Sequence, residues 1–363
     1  MRLALRRAVR ALGRTRPNPC VGAVVALGGR VLAVGHHARA GGEHAEVVAL
    51  RLAGEAARGA DLYVTLEPCS HHGRTPPCVD AILRAGVSRV FAATLDRNPL
   101  VRGQGLHRLR QAGVAVVEGP CTLEADALLA PFFTWVTSGR PLVTLKAAAS
   151  LDGRVATSTG ESRGLSGPRA HAWLHRLRDR VDAIMVGVGT ALADRPRLTP
   201  RHRPLGGRGE GHLVRVVLDS RLRIPLDSPL FADVGRHPLL IFTGQDPEGP
   251  AAVALQARGA QVVAVPTRGG RVDLGHVLDL LGTRNVTSVL VEGGPTVHGT
   301  LLSERLAHRV AVVVTPCLLG TAALPLAAWP GLPTLAGAVG VANVTLRKLG
   351  DNALLEGDIR YPG

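Results

Sequence analysis

Aromatic side chains are scarce in this chain, where Phe, Trp and Tyr make up 3% of 363 residues. Proteins that hold unpaired nucleic acid stack bases on such rings, so the shortage argues against that function despite a net charge of +15. Lysine is almost missing: all but two of the 43 basic residues are arginine, the exceptions being Lys146 and Lys348. Together with abundant Ala, Gly and Pro, and without a long basic tract, this reads as a GC-rich coding bias. Most of the charge is then surface composition, with a few arginines left to bind phosphate. No apolar run approaches the roughly 20 residues a membrane helix needs, so no membrane partner is expected. The cysteines, Cys20, Cys69, Cys78, Cys121 and Cys317, are odd in number. That speaks against a disulfide framework and for a reducing cytoplasm, where clustered cysteines are more often metal ligands.

What is present suits a soluble globular chain, with 46% hydrophobic and 20% charged residues and a length that calls for two domains. The basic N-terminus MRLALRRAVRALG places Leu5, Ala8, Val9 and Leu12 at helical spacing; we expect a first helix rather than a targeting segment, since no small-residue cleavage site follows. VGAVVALGGRVLAVG predicts two strands about a Gly-Gly turn, HAEVVALRLAG a helix, ADLYVTLEPC a strand entering a turn, and PPCVDAILRAG a helix. SRVFAATLD and VAVVEG read as strands on either side of the helix LHRLRQAG. The alternation predicts an α/β sandwich with a mostly parallel sheet. TSGRP, at 137–141, reads as the joint to a second α/β region with strands LVTLKAAAS, DAIMVGVG, VRVVLD, PLLIFTG, QVVAVP, VTSVLVEGG and RVAVVVTP. The stretch from Pro196 to Gly211 reads as a mobile loop.

Chemistry concentrates first in His44-Ala45-Glu46 and in Pro68-Cys69 through Cys78. One histidine and two cysteines supply three zinc ligands and leave the fourth tetrahedral position to water, as at a catalytic site. Zinc lowers the pKa of bound water toward ~7. Glu46, two residues from His44, can lie beside the metal and shuttle protons, and cysteines near helix N-termini are stabilised as thiolates. Hydroxide attack on an amine-bearing ring carbon, with glutamate relaying protons to ammonia, is nucleobase deamination, whose signature is H-x-E followed by P-C-x-x-C. Here eight residues, SHHGRTPP, separate the cysteines instead of two. Spacing alone favours catalytic zinc, with structural zinc or unmetallated cysteines as the alternatives. In the second region, VTSVLVEGGPTVHGTLL offers a Gly-Gly turn and a helix N-terminus to a phosphate, while GVGTAL meets the dinucleotide fingerprint only in part. Lys146 hints at a need for a compact ammonium, although Lys348 in a surface strand weakens the inference.

PNPCVGAVV, HAEVVALRLAG and VTLEPCSHHGRTPPC together resemble the deaminase half of the bifunctional riboflavin-biosynthesis deaminase–reductase family, in which the long insertion between the cysteines is usual. KAAASLDGRVA, TGES, LRDRVDAIMVGVGTALADRPRLTPR, VVLDS and VEGGPTVHGTLL resemble its reductase half, so the likeness covers nearly the whole chain. It implies a cytidine-deaminase-like α/β/α sandwich at 1–139 and a dihydrofolate-reductase-like α/β domain at 140–363. It further implies Zn2+ on His44, Cys69 and Cys78, with Glu46 as proton shuttle and His71 and His72 in a substrate-side loop. Asn18, Arg74, Asp96 and Asn98 match contacts to a diaminopyrimidinone carrying a phosphoribosylamino group. In the reductase half, which uses NADPH to reduce ribosyl to ribityl, Ala148, Gly164, Thr190, Asp194, Ser220, Gly294, Pro295 and Thr296 match cofactor contacts. Ser162, Arg178, Leu198, Arg201 and Glu292 match substrate contacts, the arginines as phosphate clamps, with Lys146 and Asp152 near the chemistry. Three positions depart from the family's pattern: Arg97 for proline, Gly164 for an aromatic, and Arg195 for an acidic residue or Asn. A small phosphorylated pyrimidine is the expected partner of a cytoplasmic homo-oligomer. The rival readings are a tRNA-type nucleic-acid deaminase with an accessory domain and a zinc-stabilised nucleotide-binding protein.

Overall fold

Apolar runs and turn residues divide this chain into two compact units, parting between Arg140 and Pro141; the computed structural model describes residues 1–71, 76–99, 101–201 and 213–363. In the first, β1 (Gly22–Leu27) turns at Gly28 and Gly29, both at positive φ (58° and 81°), and returns as β2 (Arg30–His36). Glycine takes that left-handed conformation without a Cβ clash, as a two-residue hairpin requires. β3 (Asp61–Val64), β4 (Arg89–Ala92) and β5 (Ala115–Glu118) complete a sheet of order β2-β1-β3-β4-β5. Helices α1 (Arg2–Ala8), α2 (Ala45–Ala53), α3 (Cys78–Ala85), α4 (Gln104–Gln111) and α5 (Thr122–Ser138) cover it. Val25, Leu62, Val64, Ile82 and Leu109 lie in the core.

Two expectations need correction. The sheet is mixed: β1 pairs antiparallel with both β2 and β3, and only β3–β4 and β4–β5 are parallel. The hairpin forces the first antiparallel pair, and hydrophobic alternation carries no information on strand direction. The joint is also shorter than TSGRP, because Thr137 and Ser138 end α5, which stops at Gly139 in the left-handed conformation (φ 74°).

In the second unit, β6 (Leu142–Ser150), β7 (Arg154–Ala156), β8 (Ala183–Gly187), β9 (Val214–Leu218), β10 (Leu239–Thr243) and β11 (Gln261–Ala264) are followed by short β12 (Thr267–Arg268) and β13 (Arg271–Val272). Then come β14 (Ser288–Val291), β15 (Arg309–Thr315), β16 (Leu324–Pro325), β17 (Gly340–Leu349) and β18 (Asn352–Arg360). The main sheet runs β11-β10-β9-β8-β14-β6-β15-β18-β17, parallel through β15 and antiparallel beyond. β8, β9 and β10 are buried throughout, as parallel strands covered on both faces must be. Helices α6 (Pro168–Arg178), α7 (Val188–Asp194), α8 (Pro250–Ala257), α9 (Leu274–Thr283) and α10 (Pro295–Ser303) supply the cover. Among the described residues no helix is long and apolar enough to cross a membrane. Of the loop expected at 196–211, residues 202–211 lie outside the described residues, as do His72 and Arg74.

Candidate functional site

The first unit gathers its chemistry where α2 and α3 begin. α2 lies close on β2 because Gly35 has no side chain: a Cβ there would stand 2.3 Å from the Ala45 carbonyl oxygen. His44 is the N-cap of α2, Glu46 sits in its first turn, and Cys78 is the first residue of α3. His44 Nδ1 lies 3.0 Å from Cys78 Sγ and 3.6 Å from Cys69 Sγ, and the three ligand atoms fall within 4.8 Å of one another. One nitrogen and two sulfurs at these separations fit a tetrahedral zinc ion, whose bonds of about 2.0–2.3 Å place ligands somewhat under 4 Å apart. The Cys78 backbone N–H donates to Cys69 Sγ at 3.3 Å, so the start of α3 serves both cysteines.

Electrostatics separate the roles. Hydrogen bonds from Cys78 and His44 draw the Cys69 thiol well below the ordinary range, while the Cys78 thiol is pushed up by its bond to Cys69 and by burial. Glu46 is 3% exposed, and burial pushes its carboxyl up to about 7. A carboxyl beside the donor set and poised near neutrality suits proton transfer.

Asn18 Nδ2 donates to His37 Nε2 at 3.1 Å, and His37 Nδ1 reaches the Glu43 carbonyl at 3.0 Å. The His37 ring stands edge-on to His44 with centroids 5.4 Å apart. His37 is not among the residues the sequence motifs point to, although His36-His37 just ahead of the H-x-E motif is a visible signal. Asp96 follows β4, is buried, and accepts from the Asn98 N–H at 2.8 Å. Arg97 is tied away from this turn by Asp126 at 2.7 Å and by the Phe133 ring, 4.5 Å from its guanidinium carbon.

In the second unit a cavity of about 770 Å3 opens around Lys146 on β6 and the C-terminal ends of β8 and β14. Ligand sites of open parallel sheets lie at such ends. Lys146, Ala148, Ser162, Arg178, Thr190, Asp194, Leu198, Arg201, Glu292, Gly294, Pro295 and Thr296 all line it. Gly164, Ser220 and Asp152 are not among its lining residues. The Ser220 hydroxyl accepts from the Val272 N–H at 3.0 Å. Asp152 accepts from the Ser150 hydroxyl at 2.5 Å and from the Leu319 and Gly320 N–H groups, which holds its carboxyl down at about 2. Its place is a capping position in a surface turn.

Arg178 Nε and Nη2 donate to the two oxygens of Glu292 at 2.7 and 2.6 Å. Its charge is thereby matched from within, which leaves exposed Arg201 better placed than Arg178 to meet a phosphate. Ser162 donates to Asp194 at 2.7 Å, and Leu198 holds φ 52° in the cavity wall. Lys146 is largely enclosed; burial pushes its pKa down, partly opposed by Glu292 and Asp194. His171 and His175 also line the cavity, and no sequence motif points to either. The Gly293–Gly294 turn and the unblocked start of α10 offer backbone N–H groups and a positive helix end, a fit for the phosphates of NADPH.

Known proteins align with both units. Residues 1–94 match the family described as the cytidine and deoxycytidylate deaminase zinc-binding region, and residues 141–351 match the RibD C-terminal domain. The riboflavin biosynthesis protein RibD of Aquifex aeolicus is 42% identical over 320 residues, 88% of this chain and 87% of that one. Its Escherichia coli K12 counterpart is 39% identical over 363 residues, 98% of this chain and 97% of that one. A crystal structure from Thermotoga maritima is also similar: a diaminohydroxyphosphoribosylaminopyrimidine deaminase and 5-amino-6-(5-phosphoribosylamino)uracil reductase. It superposes with TM-score 0.85 at 34% identity, covering 99% of this chain and 97% of that one.

Proposed function

The chain belongs to the RibD family of bifunctional riboflavin-biosynthesis enzymes, and from that membership we propose which of its residues carry the two reactions. It is a zinc-dependent deaminase joined to an NADPH-dependent reductase. We assign deamination to residues 1–139 and reduction to 140–363. The substrate is a diaminohydroxyphosphoribosylaminopyrimidine, which loses ammonia before its ribosyl group is reduced to ribityl.

The observation that carries the deaminase assignment is the convergence of His44, Cys69 and Cys78 within 4.8 Å, with buried Glu46 beside them. Zinc on those three side chains would supply a hydrolytic nucleophile at neutral pH. Glu46 takes the proton released by that nucleophile and returns one to the departing amine. Asn18, Asp96 and Asn98 orient the pyrimidine, as does Arg74, which lies outside the described residues. In the reductase, bound NADPH would supply the hydride that reduces the ribosyl group. Ala148, Thr190, Asp194, Gly294, Pro295 and Thr296 hold the cofactor, with Ser220 and Gly164 standing farther off. Ser162, Leu198 and Arg201 bind substrate, Arg178 and Glu292 form one charged wall, and Lys146 presents its ammonium to the same space.

The small-molecule substrate defines the partner. A cytoplasmic setting without nucleic-acid or membrane partners is supported by five cysteines that form no disulfide and by the shortage of aromatics. A homo-oligomer is supported by β17, a ten-residue edge strand exposing Val341, Val344 and Leu346 that calls for cover.

The test is Glu46→Ala. Ammonia release should vanish while zinc stays bound and NADPH is still oxidised with pre-deaminated substrate. Ammonia release surviving in that variant would sink the assignment.

A further inference from the structure

Glu67, the first letter of EPCSHHGRTPPC, has no part in the chemistry assigned above, yet it is 3% exposed. Among the described residues its side chain bonds no cation. Its two oxygens instead accept from four backbone N–H groups. Oε2 takes those of Asp96 (3.2 Å) and Gly103 (2.9 Å), and Oε1 takes those of Gly105 (2.9 Å) and Leu106 (3.3 Å). The Glu67 backbone N–H is bonded in turn to the Thr94 carbonyl at 3.0 Å. The carboxylate therefore gathers the turn beginning at Asp96 and the first residues of α4, while the Glu67 backbone holds Thr94, two residues past the end of β4. The start of α4 is also pressed against the neighbouring Pro68: a Cβ on Gly105 would stand 1.9 Å from the Pro68 carbonyl oxygen. Pro68 leads directly into Cys69.

We propose that Glu67 is a positioning residue of the deaminase, fixing the Asp96–Asn98 turn against the segment that carries Cys69. The inference rests on the assignment of Cys69 to zinc and of Asp96 and Asn98 to substrate. Acceptor geometry explains the residue type. Four converging N–H donors need a group with two oxygen acceptors set side by side, which a carboxylate side chain supplies. Glutamine would turn an NH2 toward one pair of donors and lose either the Asp96 side or the α4 side. Outer groups of this kind orient those that touch metal and substrate, and their loss typically costs roughly 10- to 100-fold in affinity or activity.

The experiment uses the zinc-loaded full chain bearing Glu67→Gln, with Glu67→Asp as the milder variant. Zinc per chain, KM and kcat for ammonia release, and NADPH oxidation with deaminated substrate are measured together. The expected result for Glu67→Gln is a KM raised roughly 10-fold or more, with a smaller change in kcat, full zinc and an unchanged reductase. Glu67→Asp keeps both oxygens but shortens the reach, and should show the same split to a lesser degree. It decides the matter alone should the Gln variant not accumulate. Unchanged kinetics in the variants, or a loss that tracks zinc occupancy with KM unaltered, overturns the proposal. The assignment beneath it fails separately, through ammonia release that survives Glu46→Ala.

Discussion

Arg178 and Glu292 meet fork to fork in the wall of the reductase cavity, at 2.7 and 2.6 Å, with side chains only 11% and 8% exposed. Breaking a buried pair by removing one partner costs about 3–5 kcal/mol, because the other charge stays enclosed and unmatched. Glu292→Gln should therefore lower the unfolding free energy of the reductase unit by about 3 kcal/mol and suppress NADPH oxidation, with ammonia release intact. Denaturant titration checks the first effect. A loss below about 1 kcal/mol would mean that solvent screens the pair as it does at a surface.

Lys146 should show a conflict between stability and activity. Burial lowers its pKa, so the unfolded chain holds the proton more tightly than the folded one. The cost of enclosing the ammonium is full below the folded pKa and is relieved as pH rises from there toward the unfolded value of about 10.4. Lys146→Met removes that cost. Its urea midpoint at neutral pH should rise by the equivalent of about 1 kcal/mol, its stability should gain less on alkalinisation, and its reductase activity should be lost. A lower midpoint would show that the ammonium's attraction to Glu292 and Asp194 outweighs its burial.

The grouping of His44, Cys69 and Cys78 was legible because ligand chemistry is selective and its letters are local: two cysteines in one segment and a histidine two residues before a glutamate. Glu67 was not legible. Its partners are backbone N–H groups of residues 96–106, which carry no letter in the sequence and come into reach only when β4 and α4 pack. α5 escaped for another reason. Its apolar residues lie all round the helix and Pro131 interrupts the pattern, so no face stood out. The pairing of Arg178 with Glu292 spans 114 residues, and arginine in a chain this rich in it signals nothing by itself. Strand direction in the first sheet was unreadable because alternation is the same both ways along a strand. The C-terminal hairpin β17–β18 went largely unread because its edge strand is exposed at nearly every position.

Zinc removal should separate the two activities. Chelation is expected to abolish ammonia release, and added zinc to restore it, while NADPH oxidation with deaminated substrate continues unchanged. Cys69 is half-buried and its thiol is drawn down, whereas Cys78 is fully enclosed. Mass spectrometry after alkylation should accordingly find Cys69 modified in the chelated protein and protected in the zinc-loaded one. Equal labelling of Cys69 in both would remove it from the ligand set.

Arg215 tests how the reductase holds its cavity wall. It is 0% exposed on β9, and burial brings its pKa down to about 10. Its Nε and Nη2 donate to the His237 carbonyl at 3.1 and 2.6 Å, and its Nη1 to those of Arg197 (3.2 Å) and Ala232 (3.1 Å). Its hydrogen-bond partners among the described residues are all backbone oxygens, so the guanidinium acts as a bracket for three chain segments. Arg197 precedes Leu198, which keeps its unusual φ of 52° where it meets the cavity. Arg215→Met removes the buried charge but strands three carbonyls, each costing about 1–3 kcal/mol when left unsatisfied. Arg215→Lys keeps the charge and reaches fewer of them. Both should destabilise the reductase unit, Met by about 3 kcal/mol and Lys by less, and both should raise KM for the deaminated pyrimidine more than KM for NADPH. Equal changes in the two KM values would show that Arg215 supports the whole sheet without bearing on the Leu198 wall.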